Sequence, residues 1–241
     1  MGNYGEIKIY FIFAIMVLII LLSSINYFNW VDEDLNKGNL TFKVIPNEMK
    51  YGAVLKDGPY GNTSSDVKIA YIIGVHPLES KAHHAVLETI KNEDKSLKYN
   101  YYIYRVIVTK DKVDYNKGRM NGQILASLYS VPDIKRSDYD LAVDVHSNRG
   151  FYKEKLFIFS PVKSTKSERI ARKIKDKISW LTYYVPPLLP EPTSGPYVTV
   201  PLINSGTNAV VYEVYEYDSY STILNYAKDF IINVDQLNLK D

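Results

Sequence analysis

Four histidines serve a chain of 241 residues, and two of them stand where chemistry could be done. His76 closes the run Ile69-Ala70-Tyr71-Ile72-Ile73-Gly74-Val75 and comes three residues before Glu79. His146 closes Leu141-Ala142-Val143-Asp144-Val145. Short apolar runs of this kind read as buried strands, so each imidazole falls at a strand end. Two imidazoles and a carboxylate are a recurrent ligand set for catalytic zinc, which keeps one further position for water or substrate. The expectation is a metal site on His76, Glu79 and His146, and hydrolytic chemistry.

The remaining candidates are judged by what such a site needs. Ligand imidazoles donate their second N–H to a carboxylate or carbonyl. Asp144 lies two residues before His146, on the same face of the strand, and could orient it or simply face a polar crevice. Asp114 is a second candidate for that supporting role. His83 and His84 fall in the helix that follows Glu79, one expected toward solvent and the other toward the helix flank. His83 could still assist from behind the ligands.

Water activated at a metal needs a general base. Glu213 and Glu216 lie in or beside the run Ala209-Val210-Val211-Tyr212-Glu213-Val214-Tyr215. A carboxylate in an apolar strand is costly unless it has a partner or lines a site. Glu213 is preferred because it sits deeper in the run. Arg149 follows His146 closely, and Arg119 stands in Asp114-Tyr115-Asn116-Lys117-Gly118-Arg119. Arginine suits bidentate carboxylate binding and stabilisation of a developing oxyanion, although most arginines are solvated surface residues. Neither a G-x-S-x-G elbow nor a P-loop is present, and no serine stands out as a nucleophile for His146 and Asp144.

Elements must hold these residues together. From Val67 onward strands and helices alternate. Strand patterns cover residues 67–75, 99–109, 140–145, 155–160 and 209–215. Helical patterns cover 80–94, 121–129, 165–181 and 219–237. Thr165 and Glu168 have capping-box spacing. This order predicts an α/β domain with a mixed, largely parallel sheet flanked by helices. Ligands of such sheets gather beyond the C-terminal ends of strands, where His76 and His146 fall.

Composition narrows the partners. The net charge of +2 gives no electrostatic case for nucleic acid. The absence of cysteine removes disulfides, thiolate nucleophiles and Cys-based zinc sites. Residues 9–25 carry no charge, and the apolar stretch continues through Tyr27, Phe28 and Trp30. About 20 such residues cross a bilayer as a helix, with Tyr27 and Trp30 suited to the interface. Lys8 before the run and Asp32, Glu33 and Asp34 after it favour an external C-terminal domain. A cleaved signal peptide is the rival, but no clear cleavage site follows the run. The chain divides into an N-terminal transmembrane anchor (1–30), a stalk and peripheral segment (31–66) and an α/β domain (67–241).

Across residues 67–217 these motifs resemble the zinc carboxypeptidase superfamily. Gly74-Val75-His76-Pro77-Leu78-Glu79 is similar to its H-x-x-E, and Asp114-Tyr115-Asn116-Lys117 to its D-x-N-R. Asp144-Val145-His146-Ser147 resembles the third-ligand segment, and Val211-Tyr212-Glu213-Val214 the catalytic glutamate on a late strand. The run from Asp144 to Gly150 is also similar to the succinylglutamate desuccinylase and aspartoacylase branch. The resemblance implies a mixed sheet of about eight strands, zinc on His76, Glu79 and His146, and Glu213 as base and proton shuttle. It maps the family's substrate-binding asparagine to Asn116. Lys117 stands where the family has arginine and cannot reproduce a bidentate fork. Arg119 or Arg149 is then expected to hold the substrate carboxylate or oxyanion.

The expected function is a membrane-anchored, zinc-dependent hydrolase of peptides, cell-envelope peptides or acylated amino acids. One alternative is a carboxypeptidase-like module that binds peptide or envelope polymer without turnover. Another is a cytoplasmic deacylase, which requires that the apolar run not insert.

Overall fold

The computed structural model describes residues 50–187 and 193–240. The N-terminal run expected to span a membrane lies outside them. Among the described residues, no helix is long and apolar enough to cross a membrane.

The described strands are β1 (Gly52–Gly61), β2 (Lys68–Ile73), β3 (Asn100–Val108), β4 (Leu141–Asn148), β5 (Phe157–Phe159), β6 (Thr182–Tyr183) and β7 (Ala209–Tyr215). They form one seven-stranded sheet in the order β1-β3-β2-β4-β7-β5-β6. Its centre, β3-β2-β4-β7, is parallel throughout. β1 runs antiparallel to β3, β5 antiparallel to β7, and β6 parallel to β5. The expected mixed, helix-flanked sheet is present, with seven described strands against the eight that the family resemblance implies.

Parallel strands covered on both faces read as near-continuous apolar runs, and all eight residues of β4 are buried. The helices are α1 (Ser80–Asn92), α2 (Tyr115–Leu125), α3 (Val131–Arg136), α4 (Lys166–Lys177), α5 (Thr199–Asn204) and α6 (Tyr220–Asp235). A π-helical turn, Ala126–Ser130, joins α2 to α3. Tyr212 of β7 stacks on Phe230 of α6, with ring centroids 4.0 Å apart, and α6 also packs on α1 and α4. On the other face Ala70, Ile72, Val106 and Ala142 meet Leu125, Val131, Ile134 and Leu202 from α2, the π turn's flanks, α3 and α5.

Three boundaries differ from the sequence reading. The helix expected at 121–129 begins at Tyr115, because the Asp114 side chain accepts the backbone N–H groups of Asn116 and Lys117 and caps it. β4 runs on to Asn148, so His146 lies inside the strand. Within the segment read as a stalk leading into peripheral strands or loops, β1 pairs along β3 and belongs to the sheet. Its glycines and Pro59 have the look of a loop, but an edge strand tolerates both.

Candidate metal centre and its cleft

β2 delivers the chain to Gly74, which has φ +85°. A Cβ there would lie 2.1 Å from the Val106 carbonyl oxygen of β3, so the turn toward His76 needs glycine. Glu79 N–H then donates to His76 O at 3.0 Å and closes a turn that puts both side chains together. Glu79 occupies the N-cap position of α1 but makes no capping bond with its carboxylate. The carboxylate turns inward instead. Oε1 lies 2.9 Å from His76 Nδ1 and Oε2 lies 2.8 Å from His146 Nδ1. Ser147 N–H donates to Oε2 at 3.1 Å, and Arg119 Nη1 donates to Oε1 at 2.6 Å. The imidazole rings stand 4.3 Å apart, and all three residues are buried.

The other ring nitrogens are tied back to the protein. His146 Nε2 faces Ser194 Oγ at 2.9 Å and Asp144 Oδ1 at 3.0 Å. Ser194 Oγ in turn donates to Asp144 Oδ2 at 2.7 Å. His76 Nε2 lies 3.1 Å from the Gln123 side-chain amide nitrogen, which donates to it. At His146 the proton on Nε2 leaves the Nδ1 lone pair pointing into the cluster. A lone pair cannot face a carboxylate oxygen at these distances without a proton or a cation between them. The donor set therefore fits a divalent metal: one donor atom from each of His76, Glu79 and His146 lies within 4.8 Å of the others.

Electrostatics agree with a site built around charge. Burial opposes ionisation of Glu79, but His76 and His146 outweigh it and hold its pKa well below the usual range. Burial opposes charge on His146 as well, and Asp144 with Glu79 raises its pKa well above the ordinary histidine value. His76 is lowered to about 4, mainly by burial. Glu213 is raised to about 8, first by burial; His146 pulls the other way, and Glu79 adds to the rise.

His76, Glu79 and Glu213 line an open cleft. Glu213 stands in register with His146 across β4 and β7, and its Oε2 is buried without a hydrogen-bond partner. Glu216 lies at the cleft edge, where Oε2 accepts from Arg149 Nε at 3.0 Å. The guanidinium groups of Arg119 and Arg149 sit 4.9 and 4.7 Å from the centre of the Tyr115 ring. Tyr152 also lines the cleft, its pKa raised to about 12, chiefly by burial.

Of the residues singled out in the sequence, His76, Glu79, His146, Asp144, Arg119, Arg149, Glu213 and Glu216 are gathered at the cluster or the cleft. Asp114, Asn116 and Lys117 are not. Asp114 is engaged in capping α2, and the Lys117 side chain is 69% exposed, 3.7 Å from Asp114. Helical periodicity explains the split: Tyr115 and Arg119, four apart, share the cleft face, which turns 116 and 117 away. Of the pair His83 and His84, His83 is the buried one, with Nε2 3.1 Å from Val145 O. Gln123, Ser194, Tyr115 and Tyr152 were not anticipated. Gln123 follows Arg119 by four residues, a spacing visible in sequence. Ser194 reaches His146 across 48 residues and leaves no local signal.

No sequence-family model matches the chain, and neither does any curated protein sequence. Solved structures do. A candidate carboxypeptidase A from Shewanella denitrificans superposes with TM-score 0.61 at 15% identity, covering 87% of this chain and 67% of its own. A candidate metallopeptidase from the same organism gives 0.57 at 15%, covering 86% and 87%. A metallo-carboxypeptidase from Pseudomonas aeruginosa, in complex with (2-guanidinoethylmercapto)succinic acid, gives 0.50 at 13%, covering 76% and 60%. The fold is zinc carboxypeptidase-like.

Proposed function

We propose that the protein is a zinc-dependent hydrolase of amide or peptide bonds. The observation that carries this reading is the convergence of two imidazole Nδ1 atoms on Glu79, each ring held through Nε2, with Glu213 beside them in an open cleft. Bound zinc would supply Lewis acidity, lowering the pKa of water and polarising a carbonyl. Glu213 takes the proton of the attacking water and passes it to the leaving amine. Arg149 or Arg119 holds a substrate carboxylate or steadies the oxyanion. The complex of the Pseudomonas enzyme with a succinic acid derivative supports a substrate that carries carboxylate groups.

The uncharged run at residues 9–25 supports a membrane anchor, and the flanking charges support an external catalytic domain. Protease treatment of intact cells should digest the C-terminal domain; its protection would contradict external placement.

One observation favours a second reading, a module that binds peptide or envelope polymer without turnover. Arg119 lies 2.6 Å from Glu79 Oε1, where it competes with a metal for that oxygen, and Lys117 points away from the cleft. The full chain assayed on a panel of peptides and acylated amino acids decides between them. Turnover that Glu213→Gln abolishes supports the hydrolase. Stoichiometric zinc with no turnover of any substrate supports the module.

A further inference from the structure

Ser194 is the residue of the site that no motif announces, and its hydrogen bonds form a directed chain. Its hydroxyl has one proton to give and two lone pairs to receive with. Oγ donates to Asp144 Oδ2 at 2.7 Å. Oγ is then an acceptor toward His146 Nε2 at 2.9 Å. The imidazole N–H points at Ser194, while Asp144 Oδ1 stands alongside at 3.0 Å. All three side chains are buried, so water cannot substitute for a missing partner without entering the core. The alternative tautomer, with the proton on Nδ1, would set a bare Nε2 lone pair against an Asp144 carboxylate oxygen.

We propose that Ser194 is a positioning residue for the metal centre: it fixes the Nε2–H tautomer of His146 and so dedicates Nδ1 to the metal. Asp144 supplies the charge and Ser194 the direction. The inference rests on the zinc reading of His76, Glu79 and His146 and adds to it a residue from the segment just before α5. Thr193, the preceding residue, lines the cleft. The same short segment thus touches the substrate space and holds a metal ligand in place.

The test measures metal, not turnover. Zinc affinity of the full chain is determined by competition with a chromogenic chelator, for wild type, Ser194→Ala and Ser194→Thr. The cobalt-substituted forms give a visible spectrum that reports ligand geometry. Loss of a partner behind a ligand histidine typically costs roughly 10- to 100-fold in metal affinity. Ser194→Ala should show a loss of that size and an altered cobalt spectrum. Ser194→Thr keeps the hydroxyl and should recover most of the affinity.

Wild-type affinity in Ser194→Ala would overturn the proposal, and so would an equal loss in both variants, which would assign the effect to packing. Should Ser194→Ala fail to fold, nitrogen NMR of zinc-loaded wild type decides: the proton of His146 must reside on Nε2, and a proton on Nδ1 overturns the assignment. A wild-type chain that binds no zinc would sink the metal reading itself, an outcome distinct from tight binding that ignores Ser194.

Discussion

At the scale of single residues, the cluster trades on which group carries a proton. Glu213 is half-buried at the cleft, shares register with His146 and keeps Oε2 buried without a hydrogen-bond partner. Glu213→Gln keeps the shape and removes the base. Hydrolysis should fall by roughly 10²- to 10⁴-fold, while zinc binding stays near wild type; unchanged turnover would remove Glu213 from the chemistry. His83 yields a stability prediction. Burial holds its pKa near 3 in the folded protein against 6.5 for the free side chain. The unfolded chain therefore takes up this proton first. Its neutral form contributes fully above pH 6.5, and that contribution is lost as pH falls from 6.5 toward 3, at about 1.4 kcal/mol per unit. Denaturant titrations at pH 7 and pH 5 should show a smaller drop for His83→Gln, which can still donate to Val145 O. Identical drops would show that His83 does not carry the acid sensitivity.

At the scale of elements, the site depends on two close approaches that only glycine permits. Gly74 releases β2 into the His76 turn. Gly122, on α2, places its Cα face against Val75, where an added Cβ would lie 2.0 Å from the carbonyl oxygen. That contact sets the height of α2 over the strand end, and with it Arg119 and Gln123. Gly122→Ala should destabilise the fold by ~1–3 kcal/mol and weaken zinc binding. Wild-type stability and affinity together would mean that α2 does not position the site.

His76, His146 and Glu213 were legible as candidates because each interrupts or ends an apolar run, where a polar side chain has to be explained. The helix start at Thr165 was legible from its capping-box spacing, and its oxygen accepts from the Glu168 backbone N–H; Ser219 caps the last helix in the same way, accepting from Thr222 N–H. Asp114 was misleading for the same reason. Its chemistry suits a histidine partner, but a helix start next to it claims the carboxylate. β1 stayed open between strand and loop because edge strands carry the glycine and proline that signal loops elsewhere. Ser194 was hidden because its meaning lies wholly in tertiary contact.

At the scale of the whole molecule, the sheet brings residues distant in sequence to one end of its parallel centre. β2, β4 and β7 each contribute there: the turn after β2 gives His76 and Glu79, β4 gives His146, and β7 gives Glu213. A ligand that binds only this folded arrangement stabilises it by mass action, about 2.7 kcal/mol at a hundredfold excess over the dissociation constant. For a domain of this size that corresponds to roughly 5–10 °C in melting temperature. Zinc should produce such a rise in wild type and none in His146→Ala; an equal rise in both would place the zinc elsewhere. Whether His76, Glu79 and His146 hold zinc is read most directly from elemental analysis of the full chain after dialysis against a weak chelator. Wild type should retain stoichiometric zinc and His76→Ala should lose it. Zinc-free wild type, or a His76→Ala chain as fully loaded as wild type, would contradict the metal centre.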